Sequence, residues 1–139
     1  MKHLTIAVLA IAASGGAWAA PGDFRCFRTM NTSPPIFLQF EFPRHKDAVG
    51  YVSYRRGSGR IPVRLVATET METSPDRPLE FTTTWKETGQ GGAPGTYTMV
   101  TQGARVYGFT FVRGKDKREF EFEEDLAAAD GPRCAWRDR

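Results

Sequence analysis

Beyond its first twenty residues the chain has no long hydrophobic run, a single histidine and no closely spaced cysteine pair. Each absence removes a class of function. No apolar segment approaches the roughly 20 residues that cross a bilayer as a helix, so the body of the chain is expected to be soluble. His45 alone cannot build a histidine-rich metal site, and any Ser–His or Cys–His scheme would have to use it. It lies in FPRHKDAVG between Arg44 and Lys46, the composition of an exposed loop. Cys26 and Cys134 stand far apart, so no C-x-x-C spacing exists to depress a thiol pKa for redox chemistry. Strong charge of one sign is also missing, with 19 basic against 16 acidic residues and no basic run. Nucleic acid is therefore not an expected partner.

What is present begins with MKHLTIAVLAIAASGGAWAA. Lys2 and His3 precede a short apolar run from Leu4 to Ala13, and Ala17-Trp18-Ala19 fits the A-x-A cleavage rule of a secretory signal peptide. Cleavage after Ala19 assigns residues 1–19 to the signal and 20–139 to one domain of 139 − 19 = 120 residues. That length suits a single sizeable core. Losing Lys2 leaves a charge of 18 − 16 = +2. Asp23-Phe24-Arg25 before Cys26 lacks the residues that lipoprotein processing requires, so no membrane anchor is expected. An exported chain in an oxidising compartment pairs its two cysteines, and Cys26–Cys134 closes a loop of 134 − 26 = 108 steps.

Period two dominates the rest. IFLQFEF, residues 36–42, sets Ile36, Leu38, Phe40 and Phe42 against Phe37, Gln39 and Glu41. VGYVSY (49–54), IPVRLVAT (61–68) and PLEFTTTWK (78–86) read as further strands, with Pro62 marking a strand start or an edge. Three more lie between Gly95 and Asp125. Pairing Phe109 and Phe111 with Phe122 and Phe120 makes Gly114-Lys115-Asp116-Lys117 a hairpin tip. Placing Tyr97 and Met99 on one face with Tyr107 and Arg105 calls for a three-residue turn, Thr101-Gln102-Gly103, with glycine left-handed. Asp125 can cap Leu126 to Ala129, and Asp130-Gly131-Pro132 stops that turn. The expected fold is all-β: a small antiparallel meander closed into a barrel, or a two-sheet sandwich, with one short C-terminal helical turn and a terminal disulfide.

Two charged segments and one glycine-rich loop are the candidate binding surfaces. Glu119, Glu121 and Glu123 alternate with Phe120 and Phe122, which makes them the wet face of a half-buried strand and a barrier to strand pairing with other chains. With Glu124 and Asp125 they could also dock a basic partner. Calcium does not suit them, because alternate residues of a straight strand lie about 6–7 Å apart. RRGSGR carries Arg55, Arg56, Ser58 and Arg60 in a turn that could present backbone N–H groups and guanidinium forks to an anion, or simply be a soluble hairpin tip. The third segment, ETGQGGAPG from Glu87 to Gly95, has four glycines and a proline.

No catalytic motif emerges. RRGSGR lacks the spacing and ending of a Walker loop, and Ser58 is not in a G-x-S-x-G setting. The SGxxY loop of the small β-barrel inhibitors of C-type lysozyme is absent too, since Ser58-Gly59 is followed by Arg60-Ile61-Pro62. The expectation is a monomeric exported protein, periplasmic or extracellular, with no enzymatic activity, cofactor or metal. It would bind another protein as an inhibitor or protective factor through its charged loops. Two alternatives stay open: a lipocalin-like carrier whose aromatic residues, 10 Phe, 4 Tyr and 3 Trp in the full chain with only Trp18 lost with the signal, could line a cavity, and a hydrolase built on a carboxylate pair that no motif marks.

Overall fold

The computed structural model describes residues 23–44, 49–57, 59–89 and 91–137. Residues 1–22, which include the expected signal peptide, and His45 and Ser58 lie outside the described residues. Among the described residues eight antiparallel strands follow one another around a closed barrel: β1 Phe24–Thr29, β2 Phe37–Glu41, β3 Val49–Tyr54, β4 Arg60–Met71, β5 Glu80–Glu87, β6 Thr96–Gln102, β7 Arg105–Val112 and β8 Glu119–Glu124. The barrel form is thus realised rather than the sandwich. Closure is made by β1 against β8, where Phe27 faces Glu124, Arg28 faces Glu123 and Thr29 faces Phe122.

β1 is the strand that the periodic reading does not supply. In FRCFRT, residues 24–29, Phe27 and Thr29 are buried on the core side, while Cys26 is buried on the opposite face. Covering that face is the C-terminal segment. The Cys26–Cys134 disulfide joins β1 to it with a Cα–Cα distance of 5.6 Å, and Ala128, Phe24 and Trp136 pack around the bond. Gln39 on the outer side of β2 accepts the Cys134 N–H at 2.8 Å, and the Phe37 and Trp136 rings lie 5.8 Å apart. The face of β2 expected to be mostly wet is therefore partly roofed.

The β7–β8 hairpin has the expected register, Phe109 with Phe122, Thr110 with Glu121, Phe111 with Phe120 and Val112 with Glu119. The β6–β7 connection differs from expectation. Gln102 pairs with Arg105, so the turn is the two residues Gly103-Ala104, with Gly103 left-handed at φ 60°. Parity is restored inside β7, where the pairing passes from Val106 to Gly108 and skips Tyr107 as a β-bulge. Tyr107 and Arg105 are accordingly exposed, and Tyr97 and Met99 share the core with Phe109 and Phe111 instead. The C-terminal turn is a 3₁₀ helix over Leu126–Ala129. Asp125 caps it through its backbone carbonyl, which accepts the Ala128 N–H at 3.1 Å, not through its side chain.

Aromatic rings fill the barrel. Phe40, fully buried, lies 5.3 Å from Trp85, 5.8 Å from Phe109 and 6.5 Å from Tyr97, all edge-on. Phe27 meets Phe109 at 4.4 Å, and Leu38, Val52, Val63 and Met99 complete the packing. At the end of the barrel where β8 finishes, Arg25 reaches Glu124 at 2.7 Å and the Ala104 carbonyl at 3.0 Å.

Candidate binding end of the barrel

In an up-and-down meander every second connection emerges at the same end. The β1–β2, β3–β4, β5–β6 and β7–β8 connections, residues 30–36, 55–59, 88–95 and 113–118, therefore surround one mouth. Both loops singled out from the sequence are among them. Ala93 and Pro94 lie directly on the β7–β8 tip: a Cβ on Gly114 would collide with their carbonyls, so only glycine allows that approach.

The arginines of the β3–β4 turn do not converge on one point. Arg60 starts β4, donates from Nε to Glu41 at 2.9 Å and stacks its guanidinium 3.8 Å from the Tyr51 ring centre. Arg55 lies 5.1 Å over Phe37. The Gly57 N–H is taken by the Tyr54 carbonyl at 3.0 Å. Arg55 and Arg56 line a recess of about 310 Å³ with Pro34, Pro35, Ile36, Phe37 and Tyr54.

Glu119, Glu121 and Glu123 lie on the outer wall, exposed as the alternation implies. Glu123 binds Arg28 at 2.7 Å across the β8–β1 seam. Because β8 has a neighbour on each side, it presents no free edge, and the charges have no strand pairing to prevent.

A second recess, about 320 Å³, opens at the mouth beside the first and shares Ile36 and Tyr54 with it. Phe111, Phe120 and Phe122 form its apolar side, and Glu87 and Arg113 its charged side. A hydrogen-bond chain runs beneath it. Tyr97 donates its O–H to Glu87 Oε1 at 3.0 Å, which leaves its oxygen to accept from the Tyr54 O–H at 2.7 Å. Glu87 Oε2 accepts the Gly95 N–H at 3.2 Å. Among the described residues no lysine or arginine forms an ion pair with Glu87. Arg113 is held instead by Asp116, at 3.0 Å from Nε and 2.6 Å from Nη2. That contact, with the Arg118 N–H, keeps the Asp116 carboxyl well below the usual range.

Glu87 entered the sequence reading only as the first residue of the glycine-rich segment and Tyr97 only as a core-face residue, and Tyr54 was not singled out, yet the parity that marks the core marks all three. Tyr54 follows Val52, Glu87 follows Trp85 and Tyr97 precedes Met99, each two residues along an inward face. A carboxylate at an inward position where a strand meets its loop is the signal.

Burial raises both phenols above the usual tyrosine value, and for Tyr97 the neighbouring Tyr54 and Glu87 add to the rise. Both stay protonated donors where free tyrosines would ionise. The unfolded chain releases these protons near pH 10, and the folded chain retains them. Stability is therefore complete below about pH 10 and falls as pH rises above it, by up to about 2.7 kcal/mol per pH unit for two tyrosines. Denaturant unfolding between about pH 9 and 12 measures that slope. The Tyr54→Phe/Tyr97→Phe double variant should flatten it, and an unchanged slope would assign the effect elsewhere.

Comparison with protein-family models, curated proteins and solved structures finds no match. Among the described residues no group of three His, Cys, Asp or Glu side chains is arranged to hold a metal ion, and no helix is long and apolar enough to cross a membrane.

Proposed function

We propose that this is an exported, non-enzymatic binding protein that grips another protein with the four-loop end of its barrel, in the manner of an inhibitor or protective factor. The observation that carries this reading is topological: one end of the meander gathers the Arg55–Arg60 turn, the glycine-rich 88–95 loop and the Arg113–Arg118 tip around two adjoining recesses. Loops mounted on a closed, disulfide-linked barrel lose little conformational freedom when a partner docks. The buried disulfide fits the oxidising compartment that the signal sequence implies. A lipocalin-like carrier would have to use the mouth recess, because aromatic side chains occupy the barrel centre.

The test combines Arg55→Ala with Arg56→Ala. Native mass spectrometry of the protein recovered gently from its own secretory compartment should show a stoichiometric protein companion with the natural chain, and much less with the double variant. Loss of the exposed cation–π contact between Arg55 and Phe37 contributes about 1 kcal/mol to any fall in folding stability. Equal companion occupancy in both forms would remove this loop from the interface.

A further inference from the structure

We infer that the Glu87 recess receives the cationic end of a lysine or arginine side chain presented by the partner protein; this rests on the reading of the four-loop end as the binding face. Glu87 is a half-buried carboxylate supplied with hydrogen-bond donors, and among the described residues no cation forms an ion pair with it, although Arg113 lines the same recess. A partly desolvated anion without a counter-charge is unfavourable, and an incoming cation relieves it. The cation that lines the same recess, Arg113, is answered by Asp116 through two hydrogen bonds and lies 5.4 Å over the Phe120 ring.

The rest of the recess suits a long basic side chain. Ile36, Phe111 and Phe122 form apolar walls for an aliphatic stem, and aromatic faces attract a cation directly. The volume of about 320 Å³ is at the small end for ligand pockets, enough for one such side chain. Tyr54, whose proton goes to Tyr97, keeps its oxygen lone pairs as acceptors for an ammonium or guanidinium N–H. Arg55 and Arg56 line the neighbouring recess. The matching segment on the partner is thus a basic residue next to an acidic one that meets Arg56, so that opposite charges meet in both recesses.

The experiment uses n-butylammonium as a probe of the side-chain end, with n-butanol as its neutral counterpart, followed by amide NMR on the mature, oxidised protein. Butylammonium should shift Tyr54, Glu87, Phe111 and neighbouring resonances in a saturable manner, and bind about tenfold more tightly than butanol, the combined scale of one ion pair and one cation–π contact. Glu87→Gln, confirmed as folded by its spectrum, should remove that preference. Equal affinity for the two probes on the natural chain, which needs no variant, would overturn the inference, as would an undiminished preference in Glu87→Gln. If the preference fails while companion capture still depends on Arg55 and Arg56, the cation recess is wrong and the protein-binding face stands. If butylammonium binds at Glu87 but capture ignores those arginines, the site takes free amines, and the partner assignment is overturned.

Discussion

Phe40→Ala is expected to destabilise the protein by about 3–5 kcal/mol, the range for removing a fully buried phenylalanine from a packed core. Phe40 has no exposed surface, and its ring meets those of Trp85, Tyr97 and Phe109, from three other strands of the wall, and that of Phe42 just beyond its own strand. Strands on opposite sides of the barrel meet through this one ring, so the surrounding side chains cannot close over the space without moving the wall. Urea unfolding of the natural and variant chains gives the difference, provided the slope with denaturant is unchanged. A loss below about 1.5 kcal/mol would indicate a loosely filled interior. That outcome would also return a central cavity to consideration and strengthen the carrier reading at the expense of the loop-based one.

The aromatic pattern made this interior legible in advance. Alternation over residues 36–42, 109–111 and 120–122 marked Leu38, Phe40, Phe109, Phe111, Phe120 and Phe122 as inward, and all six are buried, whereas Tyr107, placed on the same face, is exposed. Alternation gives no warning where a second layer covers the outside. β1 carries two buried faces, one for the barrel and one for the disulfide cluster, so DFRCFR shows no clean period. Nor does it distinguish a three-residue turn from a two-residue turn followed by a bulge, because both shift the face by one residue. Gly103 was recognisable as the left-handed residue in either case.

The binding end was legible as parts but not as a place. Arg55 to Arg60 and Glu87 to Gly95 are separated along the chain, and only the order of strands around a closed meander brings both to one rim. Charge alone was a poorer guide. Arg60 and Glu41, and likewise Arg28 and Glu123, pair on the outer wall, where exposed ion pairs contribute about 0–1 kcal/mol. Glu87, one acidic residue among many, differs because its strand position turns it inward beneath Tyr54 and Tyr97. The informative charge is the one placed where the alternation demands an apolar residue.

Replacing both cysteines, Cys26→Ser with Cys134→Ser, should lower stability by as much as about 4–5 kcal/mol, since a cross-link spanning 108 residues restricts the unfolded chain strongly. The barrel itself need not open, because β1 and β8 close it through their own backbone pairing. What the bond adds locally is the attachment of the C-terminal segment, held otherwise by the Cys134 N–H on Gln39, the Ala135 N–H on the Ala128 carbonyl at 2.8 Å and the Trp136 contact with Phe37. Hydrogen exchange separates the two contributions. If the bond acts through the unfolded chain, the slowest amides of β2, β6 and β7 lose protection by the full amount of the global destabilisation. If it acts only by docking the segment, amides near residues 132–136 lose protection and the barrel strands keep theirs. The first outcome would mean that a chain kept reduced folds with only a small margin, so that oxidation completes its stability. The second would make the barrel, and the loops it carries, independent of the redox state of its surroundings.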